Sequence, residues 1–191
     1  TGHIYKVSTY HYNWHGETEI LILLKGRIEM SCNSEVFTME PLDTIIISPQ
    51  VGHATLALEE DTTALVIHVG KNFFQQFDPN FSMYQFMVRS DETNRYNPFF
   101  TSVRYHVAMM MLLMVDGKSP ANQLWLEHHY LGLASDVYSE IEAVKSIHSN
   151  TKPADMKEAA FDKMIAYIDE NYQQKIELED IAKIGGYNVN Y

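Results

Sequence analysis

Apolar residues come in short dense runs over the first third of this chain and at helical spacing over much of the rest. Val, Ile and Leu crowd Glu19–Leu24, Ile28–Ser31, Val36–Met39, Thr44–Ser48 and Ala64–Val69. Gly16, Gly26, Asn33-Ser34, Pro41, Pro49 and Gly52 punctuate these runs. Many short, evenly spaced strands predict a barrel or sandwich from about Ile4 to Val69 rather than βαβ units. The aromatic stretch that follows, with Phe73, Phe74, Phe77, Phe81, Tyr84 and Phe86, predicts a cover over one end of the barrel. After the polar stretch Arg89–Pro98, helical periodicity sets in over Thr101–Val115 and Asn122–His148. In the second helix Leu124, Leu131, Ala134, Val137, Ile141 and Val144 recur at three, four and seven. That stripe is wider than packing on the barrel alone requires, so it predicts a homodimer with Leu124, Leu131, Val137 and Ile141 at the interface.

Ser149–Asp155, with Pro153, reads as a linker to a smaller C-terminal unit. There one helix carries Met164, Ile165, Ile168 and Tyr172, and a shorter one carries Leu178, Ile181 and Ala182. Gly186 follows Ala182 by four residues, flanked by Gly185 and Tyr187, and Asn188 is a good N-cap for another helix. A small residue where two helices cross, then glycine where the turn needs positive φ, is what a tight helix–turn–helix requires. Tyr-Ile-Asp-Glu-Asn-Tyr ending at Tyr172, Leu-Glu-Asp-Ile-Ala ending at Ala182, and Gly-Tyr-Asn ending at Asn188 together resemble the opening of the AraC-type DNA-binding domain. The resemblance implies the sensor portion of a transcription regulator, with Tyr187 and Asn188 beginning an incomplete recognition helix.

Charge narrows the partners. The net charge is −11, and residues 161–191 hold three lysines against six acidic residues. DNA binding needs a basic surface that displaces counterions, so DNA is expected only as a partner of a full-length protein extending beyond this chain. Cys32 is the only cysteine, which removes intrachain disulfides and cysteine metal sites and suits a reducing cytoplasm. The apolar run Val107–Val115 is too short to span a bilayer, and no membrane partner is expected.

Within the strand region His15-Gly-Glu-Thr-Glu19 is followed by Gly26, and later by Asp43, Pro49 and His53. These positions resemble the two motifs of the cupin barrel, the fold of AraC-type sensor domains. The resemblance implies a cup for a small-molecule effector, sugar-like by family, with Asn13, His15, Glu19, His53 and His68 facing one cavity. Three departures stand out: Asn13 where metal-binding members have His, Leu42 where a Gly precedes the Asp, and a shorter Pro49-to-His53 interval. No metal, no cofactor and no enzymatic activity are therefore expected, although His11 lies two residues out on the same strand face. Residues four apart on a straight strand lie about 13 Å apart, so His15 and Glu19 converge only if Gly16 turns the chain. Should they converge, two His and one carboxylate form a plausible iron or zinc set. The alternative reading is thus a metal-dependent cupin enzyme, a dioxygenase or isomerase. His68 is open between a satisfied core residue and a group at the barrel mouth. His128-His129 is assigned a solvated helix face and no chemistry.

The expected architecture is α+β. Residues 1–98 form a cupin-like sensing barrel with its cover, 99–150 a helical dimerisation segment, 151–160 a linker and 161–191 a partial helix–turn–helix.

Overall fold

The computed structural model describes residues 1–8, 10–33, 35–81, 84–117, 119–148, 163–164, 167–168 and 170–186. It divides into two units, Thr1–Ser146 and Ile147–Tyr191. The first is α+β. Its strands are β1 (Gly2–Lys6), β2 (His11–Asn13), β3 (Glu17–Lys25), β4 (Ile28–Cys32), β5 (Glu35–Met39), β6 (Thr44–Ile47), β7 (His53–Ala57), β8 (Thr63–Gly70) and β9 (Met87–Arg89). Its helices are α1 (Lys71–Gln75), α2 (Pro98–Val115) and α3 (Pro120–His148). One sheet has the order β1-β8-β3-β6-β9 and the other β2-β7-β4-β5; every pairing is antiparallel.

The five-stranded sheet is apolar on both faces, which explains why β3, β6 and β8 read as continuous apolar runs rather than alternating ones. Leu21, Leu23, Ile45, Ile47, Ala64 and Val66 point inward and join Ile28, Met30, Cys32 and Met39 of the second sheet in the barrel core. Ile20, Ile22, Ile46, Leu65, Ile67 and Val69 point outward and meet α2 through Phe100, Val103, Val107 and Met110, and α3 through Leu133, Ala134, Val137 and Ile141. Phe74, Phe81 and Phe86 belong to this outer layer, with Phe73 and Tyr84 packed against it, so they do not cap an end of the barrel. Phe74 and Phe81 stack at 4.2 Å, and the Tyr138 hydroxyl donates to the Phe74 carbonyl at 2.7 Å. The same layer corrects the dimer stripe: Val137 and Ile141 are buried in their own chain's core, while Leu124 and Leu131 are exposed. His129 is corrected as well. It lies buried between α2 and α3 against His106, and only His128 beside it is exposed.

α2 starts earlier than its periodicity suggests because the Asn97 side chain accepts from the Phe100 N–H at 2.9 Å and Pro98 opens the first turn. Pro98–Val115 is long and apolar enough to cross a membrane, but its Phe100, Val103, Val107 and Met110 are buried on the sheet.

Two motif positions have local physical reasons. Gly26 sits at φ 79°, and a β-carbon there would stand 2.9 Å from the Thr62 Cα. Gly26→Ala is expected to cost about 1–3 kcal/mol, read as a fall in urea midpoint at unchanged slope. Leu42, where the family carries Gly, holds the left-handed conformation itself at φ 73°. It is fixed there by its N–H on the Leu23 carbonyl at 2.7 Å and by Arg104, which donates to its carbonyl at 3.1 Å. The neighbouring Asp43 carboxylate is buried and accepts from the Glu40 N–H, the Ser90 hydroxyl and the Arg95 guanidinium at 2.8–3.1 Å.

In the second unit, helix Leu178–Gly185 buries Ala182 and ends at Gly186, whose φ of 70° is left-handed. This is the small residue and turn glycine that a helix–turn–helix requires. Tyr187, Asn188, the linker 151–160 and the side chain of Val144 lie outside the described residues.

Candidate functional site

Strand register builds the centre of the site. Glu19 lies opposite Ile47 on one side and His68 on the other, so its carboxylate and the His68 ring share the inner face. His53 opens β7 opposite Asn13 and Cys32, on the facing sheet. His15 arrives from the turn before β3. The Gln50 N–H donates to the His15 carbonyl at 2.8 Å and the Trp14 indole donates to the Gln50 carbonyl at 3.0 Å. The bend at Gly16 then folds the His15 ring back over the strand.

The result is convergence on one atom. The Nε2 atoms of His15, His53 and His68 lie 3.0, 3.3 and 3.0 Å from the same oxygen of Glu19, Oε2. The other ring nitrogens of two of them face main chain: His15 Nδ1 lies 3.2 Å from the Glu17 carbonyl and His53 Nδ1 lies 3.0 Å from the Val51 carbonyl. A carbonyl only accepts, so each Nδ1 carries a proton; a singly protonated ring then turns an Nε2 lone pair toward the anionic oxygen, and a doubly protonated ring donates to it. Lone pairs and a carboxylate crowded together repel unless something positive lies among them, either added protons or a cation. The hydrogen bond to Glu19 raises the His15 pKa against the opposing effect of burial. Burial alone would raise Glu19, but the three imidazole contacts outweigh it and hold the carboxyl far below the usual carboxylate range.

His15, Glu19 and His68 bring their ligand atoms within 4.8 Å of one another, and two imidazoles with a carboxylate are the donor types of a transition-metal centre. The donor chemistry therefore fits a metal. The expectation of an incomplete set rested on Asn13 standing where metal-binding cupins have His. Here β8 supplies the third imidazole, His68, from outside both motifs.

Glu19 and His68 also face a cavity of about 440 Å³, walled further by His3, Tyr5, Lys6, His11, Asn13, Thr55 and Val66. Asn13 thus lines the cavity rather than touching the carboxylate, while His15 and His53 reach the carboxylate without lining the cavity. Burial and the Glu19 charge push the Tyr5 hydroxyl up to about 12, and the Thr55 hydrogen bond only partly opposes this; Tyr5 is a neutral donor. Cys32 is pushed up to about 12 by burial, then by Glu19 and Glu35, so it is a neutral thiol and not a nucleophile. Sequence reasoning missed His3, Tyr5, Lys6 and Thr55. The signal available for two of them was the alternation of His3 and Tyr5, which places both opposite the inward-facing Val66 and Ala64.

No family model matches the chain, and no curated protein matches it in sequence. Its fold does match solved structures. The apo form of ToxT from Vibrio cholerae, an AraC-family regulator, superposes with a TM-score of 0.53 at 10% identity, over 98% of this chain and 70% of ToxT. The form of ToxT bound to an unsaturated fatty acid gives 0.52 at 10% identity, over 98% and 69%. Bacillus subtilis oxalate decarboxylase, a protein with Mn(II) centres, overlaps 36% of this chain and 20% of its own at a TM-score of 0.32 and 19% identity. The fold is accordingly ToxT-like, α+β with a β-rich N-terminal unit and accompanying helices. One expectation is corrected here. One fold hosts enzymes and binding modules alike, so the expectation of no enzymatic activity does not stand.

Proposed function

We propose that this chain is the ligand-sensing portion of an AraC-type transcription regulator, and that its effector is a small carboxylic acid. The observation that carries the reading is a cavity of about 440 Å³, whose wall is made largely of hydrogen-bond donors, inside a regulator-like fold. Tyr5, Lys6, His3, His11, Asn13 and Thr55 all offer N–H or O–H groups, and among the cavity-lining residues Glu19 is the only acid. Tyr5 is the only non-histidine aromatic ring on that wall, a poor stacking surface for a sugar. The acid replaces the sugar-like effector implied by family resemblance, and it accords with ToxT, which is bound to an unsaturated fatty acid in one structure and to a naphthyl-butenoic acid in another. His15, Glu19 and His68 would hold a divalent transition metal beside that cavity, with His53 against the same carboxylate oxygen, and the metal would offer an electron-pair acceptor to an effector oxygen.

In this reading a second copy of the chain covers the exposed Leu124 and Leu131, and effector binding favours one placement of the DNA-reading unit over another. Helix Leu178–Gly185 and Gly186 belong to that unit, which contacts DNA, and the setting is the cytoplasm. The test is calorimetric titration with paired acids, amides and sugars. A preferred acid should bind at least tenfold tighter than its amide, since a charge-assisted hydrogen bond contributes about 1.5–3 kcal/mol. Sugars that bind where acids do not would contradict the reading.

The metal-dependent enzyme has its own supporting observation in the three imidazoles on Glu19. Turnover of a carboxylic acid by metal-loaded protein, lost on His68→Ala, would make catalysis the function of the same site.

A further inference from the structure

The seam between α2 and α3 holds a polar contact that neither reading uses. His106 of α2 and His129 of α3 meet through their Nδ1 atoms at 3.0 Å, in a hydrogen bond served by one proton. The His106 ring lies against the backbone of α3 at Gly132, where a β-carbon would clash with its Cε1. Glycine is among the poorest residues for a helix interior, so this notch holds the ring at a cost to the helix. His129 stands one turn before Gly132 and Asp136 one turn after it. The Asp136 carboxylate lies 4.0 Å from His106 Nε2, beyond hydrogen-bond reach.

We propose that this seam is an acid-responsive latch: neutral rings hold α2 to α3 through the hydrogen bond between His106 and His129, and protonation releases it. Two neutral imidazoles carry two protons on four nitrogens, and the bond needs one Nδ1 protonated and the other bare. The arrangement that suits Asp136 puts the second proton on His106 Nε2, facing the carboxylate, and leaves His129 Nε2 bare. A third proton, with the bond kept, must go on His129 Nε2. That nitrogen is buried with no hydrogen-bond partner, so an N–H there goes unpaired whichever ring carries the charge. A fourth proton sets two N–H groups head to head and removes the bond.

The titratable groups around the pair are few. On α3 it faces Asp136 and the exposed His128, whose ring is 5.1 Å from His129 and 6.5 Å from His106. On α2 it faces Tyr105, whose ring is 5.5 Å from each. Towards the sheet the two helices pack on the apolar Ile20, Ile22, Ile67 and Val69. Burial lowers the pKa of both rings; Asp136 partly opposes this at His106, and the neighbouring imidazoles add to it at His129. A folded pKa below the unfolded one means that the seam stabilises fully above the ordinary histidine value of about 6.5 and loses that stability as pH falls through it. α3 also carries the exposed Leu124 and Leu131, so opening the seam changes the face offered to a second copy.

The experiment uses the whole chain, stripped of metal and without effector, and reads imidazole NMR and amide hydrogen exchange. In wild type, His129 should titrate below the ordinary histidine range. Exchange of the α3 amides around Gly132, corrected for the intrinsic effect of pH, should quicken about tenfold or more from about pH 7.5 to about pH 5.5. His129→Asn sets an amide that does not titrate against His106 Nδ1 and should remove most of that quickening, as should His106→Asn, whereas His128→Ala should keep it. A His129 that titrates at or above the ordinary range, or wild-type exchange that stays constant, would overturn the latch without any variant. Acid opening that persists in both Asn variants would overturn it as well.

Discussion

Ile141→Glu is expected to remove a large part of the stability and lower the unfolding temperature steeply, whereas Leu131→Glu is expected to unfold at nearly the wild-type temperature. The two residues share a helix and an apolar pattern, and only burial separates them. Ile141 is 3% exposed and Leu131 is 50% exposed. Ile141 belongs to the layer of Phe74, Phe81, Val103 and Val137 that seals the outer face of the five-stranded sheet. Placing an unpaired carboxylate there costs more than about 4 kcal/mol, against a total stability of about 5–15 kcal/mol for a domain of ordinary size. At Leu131 the same change meets water and costs within about 0.5 kcal/mol. Thermal unfolding followed by circular dichroism separates the cases, and light scattering on Leu131→Glu shows whether a dimer has been lost. A cooperative transition for Ile141→Glu near the wild-type temperature would contradict the packing described.

This contrast marks how far the chain is legible by itself. The dense Val and Ile runs gave β3, β4, β5, β6 and β8, and periodicity gave α2 and α3. Periodicity alone could not say which helix stripe meets the sheet, because Leu131 and Ile141 carry the same apolar signal. The two-sided burial of the sheet was equally hidden: a continuous apolar run looks alike whether its outer face meets helices or another copy. At the site, His15, Glu19 and His53 were readable from motif spacing. His68 was named, but its place on the Glu19 carboxylate depends on the β3–β8 register, which no local pattern encodes. His129 was misread for a related reason, since its partner His106 lies 23 residues earlier on another helix.

Glu19→Gln is expected to have the second large effect, on cation binding rather than on fold. The amide keeps the volume and one acceptor, but it removes the charge on which three Nε2 atoms converge at 3.0–3.3 Å. Loss of an outer-shell partner typically lowers metal affinity 10–100-fold, and loss of a charged ligand should exceed that, at more than ~100-fold. Asn13→Ala should leave metal affinity unchanged, because Asn13 lines the cavity and does not touch Glu19, while weakening a bound acid. Competition with a fluorescent chelator measures both variants. Equal metal affinity in wild type and Glu19→Gln would show that the carboxylate orders the imidazoles and no more.

The most direct test of the cation centre is the metal content of untagged protein, stripped with chelator, reloaded with Mn²⁺, Fe²⁺ or Zn²⁺ and desalted, with wild type compared against His68→Ala. The account predicts that His68→Ala retains one equivalent fewer of the preferred metal than wild type. Equal metal content in wild type and His68→Ala, for all three metals, would contradict it.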